Sequence, residues 1–357
     1  MPGLSLLKFL VRRLWVVLVT LVFVTAIIFG TVLLAPVESR AQLYMGNIRE
    51  GLSQSIYENY LQRVIREHGM NDPYPVQYFH WAGRLIRGEW GWSPVQRTDV
   101  LKALLARTPA TLELTLYSLL LFIPLGLLLG AVAGWNRNRL SDGTFRLTAY
   151  VATSIPPFIV GLVLMSIFYV GLHWFLPGYL GTSAGITIHS DSFKTITGLL
   201  TIDGLLNGRP EVTLDAMRHL AMPVISLSLF HWATLGRVTR ASIIEEKNRG
   251  YVTAARARGL TRHRILWKHA VPNVLVPSLT ASALSAATLV TGVYVIELVF
   301  GWPGVSKLIT SATWQPDVAM AAGFAIYSVV AVLSIMLLLD IIQVIVDPRL
   351  RRNGGEL

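Results

Sequence analysis

Residues 14–34 read LWVVLVTLVFVTAIIFGTVLL, twenty-one positions without a charge. Lys8, Arg12 and Arg13 precede the run. About 20 apolar residues cross the hydrocarbon core of a bilayer as one helix. The apolar core of a secretory signal stops at about 7–15 residues, so the run is expected to stay as a membrane helix. The remaining sequence agrees. Of 357 residues, 53% are hydrophobic and 14% charged, against about 25% charged in a soluble domain. So little polar surface argues against a soluble enzyme, a nucleic-acid binder and a disordered chain. The net charge of +11 is then better placed in basic loops on one side of a membrane than on nucleic acid. With no Cys, disulfides, thiolate metal sites and thiol nucleophiles are excluded.

Five further apolar stretches follow, near 110–134, 147–175, 220–235, 279–300 and 318–346. Six spans with the N-terminus inside place 18 Lys and Arg against 5 Asp and Glu on the inner side. The outer segments carry 13 and 12. This asymmetry follows the positive-inside rule, so the expected fold is an all-α polytopic membrane protein with six transmembrane helices and both termini cytoplasmic. The outer loop 36–107 holds SIYENYLQRVIREHGM (55–70), with Ile56, Tyr60, Val64 and Ile65 at helical spacing. After it, Tyr78, Trp81, Leu85 and Ile86 share a second helical face. Two amphipathic helices are expected there. The outer loop 174–219, rich in Gly, Thr and Asp, carries no pattern that places its elements, and no internal repeat is visible.

The long inner loop, 236–278, carries signals that topology does not require. Asn248 is a candidate N-cap, Tyr251 to Arg258 are rich in helix-forming Ala and Arg, and Gly259 is placed to stop that helix. Thr261 can cap a second helix, Arg262 to Ala270, which Pro272 is expected to close. Ala254, Ala255 and Ala257 would leave a low surface that another backbone could approach, with Arg256 and Arg258 at its rim. A docking knob for a soluble partner and a loop held to anionic headgroups both fit this pattern.

The stretch YVTAARARGLTRHRILWKHAVPNVLVP (251–277) resembles the EAA loop of binding-protein-dependent ABC transporter permeases, Glu-Ala-Ala-x3-Gly-x9-Ile-x-Leu-Pro. Ala254, Ala255, Gly259 and Pro272 match in register, whereas Thr253, His269 and Val271 stand where the motif has Glu, Ile and Leu. Further segments resemble the dipeptide, oligopeptide and nickel subfamily: PYPVQYFHWAGRLIRGEWGWS (73–93), TPATLELTLYSLLL (108–121), SIPPFIVGLVL (154–164), HLAMPVISLSL (219–229), IELVFGWPGVSKLI (296–309) and DIIQVIVDPRLR (340–351). The resemblance implies a type I ABC importer permease fold in the inner membrane. It divides the chain into 1–35 (stub and first helix), 36–107 (extracytoplasmic loop), 108–346 (permease core) and 347–357 (cytoplasmic tail). It implies a second homologous permease subunit, two cytoplasmic ATPases, an extracytoplasmic binding protein, and a cargo of peptides, oligosaccharides or nickel complexes. ATPase coupling would fall to Tyr251, Thr253, Ala254, Ala255, Arg256, Ala257, Arg258, Gly259 and Leu260.

No G-x-x-x-x-G-K-[ST] phosphate loop occurs, so any ATP and Mg would sit on partner subunits, and this chain is expected to bind no cofactor or metal. Acids inside membranes are functional candidates, here Glu113, Glu297 and Asp340, for gating or interhelical pairing. Pro156 and Pro157, after Ser154, interrupt the third span and mark a candidate pathway wall. Gly126, Gly130 and Gly134 form a close-packing face, toward this chain or a second permease. The competing readings are an ion-coupled secondary transporter using the three acids and a membrane-embedded enzyme. The first lacks the inverted repeat and the central charges it would need; the second lacks convergent catalytic groups.

Overall fold

The structure, a computed structural model, describes residues 2–42, 44–45, 54–314 and 317–346. The tail expected at 347–357 lies outside the described residues. The first apolar run forms α1 (Pro2–Val32), whose membrane-length part is Val11–Val32. Only 6% of its most apolar window is covered by protein, which leaves Leu14, Trp15, Val22, Phe23 and Ile27 exposed. Such a surface is stable against lipid and not against water.

The chain divides into two units, one of residues 1–11, 110–303 and 332–357, the other of 12–109 and 304–331. In the second unit α2 (Val37–Gln42), α3 (Gln54–Glu67) and α4 (Tyr74–Ile86) follow α1. The two expected amphipathic helices are therefore present, but their buried faces differ in detail. On α3 it is Leu61, Val64 and Ile65 that are buried, while Ile56 and Tyr60 are exposed. They pack with Ala41, Met45 and Met70, so the short α2 and the turn after α3 rotate the apolar face by part of a turn. On α4, Tyr78 and Trp81 meet Phe29 of α1 at centroid distances of 5.7 and 5.2 Å, whereas Ile86 is exposed. A two-residue ribbon, β1 (Trp92–Ser93) with β2 (Thr98–Asp99), precedes α5.

Helix α5 (Val100–Trp135) is 36 residues long. It starts ten positions before the expected second span, and the expected loop/core boundary at 107/108 falls inside it. No proline or glycine interrupts 100–108 to stop the helix. Val100 and Leu104 are fully buried against Leu308, Ala319 and Met320, so packing carries the helix through Pro109.

The third span is broken. Helix α6 (Leu140–Ser154) ends where Ile155 turns extended (φ −110°, ψ 123°), because the ring of Pro156 disfavours helical geometry in the residue before it. Helix α7 (Pro157–Leu164) restarts with proline in its first turn and runs on as a π-helical segment to Gly171. The two arms are bent by 98°, far more than a packing kink.

Segment 174–219 is ordered by α8 (Thr182–Ile188) and α9 (Leu200–Leu206). Asp203, fully buried, accepts bonds from the backbone of Thr197 (2.8 Å) and Gly198 (2.9 Å) and from the Thr197 hydroxyl (2.7 Å). Helix α10 (Pro210–Glu246) is the axis of the first unit; α6, α7, α9 and α13 (Val271–Phe300) all pack on it. At 37 residues it is long enough to span a bilayer, but it is not apolar enough to be identified as a span by composition. Among the described residues, four single helices meet both tests, and five if the bent pair counts as one span, where six were expected. The shortfall is the stretch near 220–235, where Ser226, Ser228, His219 and His231 are buried by protein. After α13, α14 (Ser306–Trp314) and α15 (Val318–Val346) complete the chain. Asp317 opens α15, accepting from Met320 N (2.9 Å) and from the Ser93 hydroxyl (2.5 Å).

The glycine face of α5 packs inside this chain. A Cβ at Gly130 would stand 2.5 Å from Gly236 O of α10, one at Gly134 2.6 Å from Arg240 O, and one at Gly126 2.9 Å from Leu235. We therefore expect Gly130→Ala to lower resistance to unfolding in mixed detergent micelles by about 1–3 kcal/mol, the cost of overpacking. Gly143→Ala on α6, where nothing lies within 4 Å, should be neutral or slightly stabilising in the same assay.

Candidate coupling surface

The loop 236–278 folds as a helix–turn–helix hairpin held to the ends of three long helices. Helix α10 ends at Glu246; Arg249 bridges Glu245 (2.8 Å) and Glu246 (3.6 Å). Helix α11 (Gly250–Ala257) starts after Arg249, which occupies the N-cap position with φ −71° and ψ 146° and no side-chain cap bond. Asn248 is thus not the cap. It sits one residue early, in the turn that closes α10, with its N–H on Glu245 O.

The C-terminal stop is a Schellman motif. Gly259 N–H donates to Arg256 O (2.9 Å), Leu260 N–H donates to Ala255 O (3.2 Å), and Gly259 has φ +76°. Those bonds satisfy carbonyls that a helix end leaves open. Nothing lies within 4 Å of a Cβ at Gly259, so the requirement is on its backbone angle and not on space. Thr261 caps α12 (Arg262–Ile265) by accepting from Arg264 N. Pro272 does not close this helix. A π-helical stretch, Leu266–Ala270, leads straight into α13, and Pro272 occupies its first turn, where a missing N–H costs least. The wider π register absorbs the proline.

One face of the hairpin is core. Val252 and Ile265 are fully buried, and Ala255 is 8% exposed. They pack with Ala131 and Trp135 of α5, Ile243 of α10 and Val274 of α13. Each buried Val or Ile side chain contributes about 1.5–3 kcal/mol, so the hairpin is fixed to its base. Lys247 Nζ donates to Trp135 O at 2.7 Å. Its pKa is lowered, first by burial and then by Arg256, Arg262, Arg139 and Arg137. These side chains line a basic recess of ≈ 290 Å³. Tyr251 is also anchored, its hydroxyl donating to Glu246 Oε2 at 2.6 Å.

The expected coupling residues therefore divide. Thr253, Ala254, Arg256, Ala257, Arg258 and Gly259 face outward; Ala255 points into the core; Tyr251 and Leu260 are half-buried supports. The low alanine surface is made by Ala254 and Ala257 without Ala255.

The intramembrane candidates fall elsewhere. Glu113 and Glu297 are both fully buried. Glu113 accepts from Thr201 N (2.8 Å), the Thr201 hydroxyl (2.6 Å) and the Tyr179 hydroxyl (2.8 Å). Burial first, then Glu113, holds the Tyr179 phenol far above its ordinary range, so it stays a donor. Glu297 accepts from the Thr111 hydroxyl, and Trp302 Nε1 donates to Ala110 O at 2.9 Å. Both acids thus pair elements rather than stand open. Asp340 is buried on α15; Ser154 and Pro156 are exposed, and Pro157 is half-buried. Sequence reasoning passed over Asp142 and Arg240, which form a bidentate pair (2.5 and 2.9 Å) between α6 and α10. The only signal was an acid inside a basic segment.

An all-α chain of long apolar helices, carrying a rigid basic hairpin, defines a polytopic membrane protein. Comparison places it further. The binding-protein-dependent transport system inner membrane component model matches residues 126–352, and the N-terminal model of such components matches 6–115. The chain is 33% identical over 304 residues to a probable D,D-dipeptide transport system permease of Escherichia coli, covering 85% of this chain and 87% of that protein. It is 32% identical over 348 residues to a di/tripeptide transport system permease of Pseudomonas aeruginosa, covering 98% and 100%. An oligopeptide transport system permease of Bacillus subtilis is 31% identical over 290 residues, 81% and 84%. The chain belongs to the binding-protein-dependent inner-membrane permeases of ABC transporters.

Removing the acid of the Asp142–Arg240 pair leaves a part-buried guanidinium without its partner, a change that costs about 3–5 kcal/mol in buried pairs. Asp142→Asn is expected to lower the yield of folded protein in detergent, with Asp142→Glu recovering part of it, as read by size-exclusion profiles.

Proposed function

We propose that this chain is one of two permease subunits of an ATP-driven importer of short peptides. The hairpin 250–270 is its contact with a cytoplasmic ATPase. The observation that carries the reading is the division of α11. One face is welded to α5, α10 and α13 through Val252 and Ala255, beside Ile265 of α12; the other presents Thr253, Ala254, Ala257, Arg256 and Arg258. A lever needs both, a stiff root and a shallow, positively rimmed surface that fits a groove. The ATPases would hold ATP and Mg, and a second homologous permease would complete the pathway. An extracytoplasmic binding protein would deliver cargo. The charge asymmetry of the loops supports cytoplasmic termini. Peptide cargo is supported by the relatives, which transport dipeptides, tripeptides and oligopeptides.

A partner shifts a two-state equilibrium only through its different affinity for the two states. The ATPase pair must therefore grip the hairpin differently with and without ATP. Ion coupling through Glu113, Glu297 and Asp340 is less well supported, since the first two already accept hydrogen bonds from fixed partners.

In vesicles with all partner subunits, peptide uptake should require ATP inside and binding protein outside. Gly259→Asp places a side chain at φ +76°, a strain of about 1–2 kcal/mol, and adds a carboxylate to the docking face. It should insert normally and lose at least about tenfold in uptake, or about 1.4 kcal/mol of coupling. Wild-type uptake by that variant would refute the coupling role.

A further inference from the structure

The second unit encloses a cavity of ≈ 50 Å³ with walls that include Phe29, Trp81 and Trp90. Two guanidiniums enter it. Arg40 is 8% exposed. Its Nη1 donates to Gln77 Oε1 at 3.0 Å, and its buried Nε has no partner. Gln77 is neutral, and its amide is committed to Met70 O (2.9 Å) and Asp72 O (2.7 Å). Arg84 lies 4.8 Å over the Tyr44 ring and donates to the Tyr44 hydroxyl at 3.3 Å. Its Nε is likewise buried and unpaired. Among the described residues, no carboxylate lies within 4.0 Å of either guanidinium. Buried charges are normally paired, and buried donors normally bonded. Here one buried guanidinium, Arg40, and one half-buried, Arg84, line one cavity, each with an unbonded Nε. His68 stacks on Tyr44 at 4.3 Å, and its pKa is lowered, first by burial and then by Arg84.

A second recess of ≈ 360 Å³ shares Tyr44, His68, Arg84, Trp90 and Gly91 with the first. Its lining adds Glu89 and Asp99, both exposed. Arg84, Tyr44 and Trp90 thus line both recesses, Arg40 only the inner one, and Glu89 and Asp99 only the outer one. A water needs about 10–15 Å³ of such space, so the inner cavity admits about three to five heavy atoms, one end of a molecule. Guanidinium forks match planar carboxylates.

We propose that the joined cavities bind a short zwitterionic peptide, its terminal carboxylate between Arg40 and Arg84 and its ammonium beside Glu89 and Asp99. The site gives this unit a contact with cargo separate from the hairpin. The identity of the ligand rests on the peptide reading above; the need for an anion at Arg40 and Arg84 does not.

The test uses the assembled transporter in nanodiscs, without binding protein. It is titrated with dialanine, dialanine amide and N-acetylalanine while tryptophan fluorescence is followed. Trp81 and Trp90 line the cavities, so Trp81→Phe/Trp90→Phe identifies their share. Dialanine and N-acetylalanine should give a saturable signal, and the amide should bind at least tenfold more weakly. Arg84→Gln should weaken both acids at least tenfold. Glu89→Gln/Asp99→Asn should weaken dialanine and spare N-acetylalanine. Arg40→Gln should behave as Arg84→Gln; should it fail to assemble, the half-exposed Arg84 carries the test. Equal binding of amide and acid, or dialanine binding unchanged by Arg84→Gln, overturns the proposal. Peptide uptake is measured on the same preparations. Uptake without a carboxylate-dependent signal sinks this site alone. A carboxylate-dependent signal without peptide uptake upholds the site and refutes the import reading.

Discussion

The backbones of α5 and α10 touch where Gly130 faces Gly236, and the rest of the first unit depends on that approach. Three glycines at four-residue spacing leave no Cβ on one side of α5, and Leu235, Thr239 and Ile243 of α10 fill the groove. In a bilayer, where lipid tails are as apolar as leucine, helix association relies on such close packing. The same line continues beyond the glycines. Gly236 is itself capped by the Phe145 ring, and Phe145 packs edge-on to Trp232. Arg240 then reaches Asp142, and Lys247 closes on the carbonyl end of α5 at Trp135. One seam thereby fixes α5, α6 and α10 and sets the platform under the hairpin.

That platform explains why a short helix such as α11 holds its shape. Eight residues are too few for a stable isolated helix. The hydrogen bonds of its Schellman stop and its own burial, through Val252 and Ala255, supply what length does not. The basic rim has a structural consequence as well. Lys247 is committed to Trp135, while Arg256 stacks over the same indole at 5.9 Å. The positive charge around α11 is therefore partly fixed in place rather than free to swing.

Much of this was legible in the sequence because it followed local rules. Gly259 and Thr261 were readable as stop and cap, the Pro156–Pro157 break as an interruption, and the α5 glycines as a packing face. The misreadings were all decided by neighbours in space. Asn248 looked like a cap because its chemistry is right, but the turn that ends α10 uses it first. Pro272 looked like a terminator because a π-helical stretch cannot be seen in residue types. The exposure of Ile56 and Ile86 depends on where α2 and α1 lie. Nor did spacing reveal that Glu113 reaches Thr201, eighty-eight positions away.

The fourth expected span, near 220–235, shows the limit of hydropathy most plainly. Apolar composition reflects the surface a helix leaves uncovered, and much of α10 is covered by protein. Its Ser226 donates back to Met222 O, Ser228 to Ser118 O of α5, and Thr239 to Leu235 O while meeting the Ser278 hydroxyl. Hydroxyls satisfied in this way cost little inside a protein, and they leave the central helix looking too polar to span. Helix α1 shows the reverse: little protein covers its membrane-length part, and from Leu14 to Val32 it carries no charge. The long helix on which the first unit packs is thus the one that hydropathy does not mark as a span.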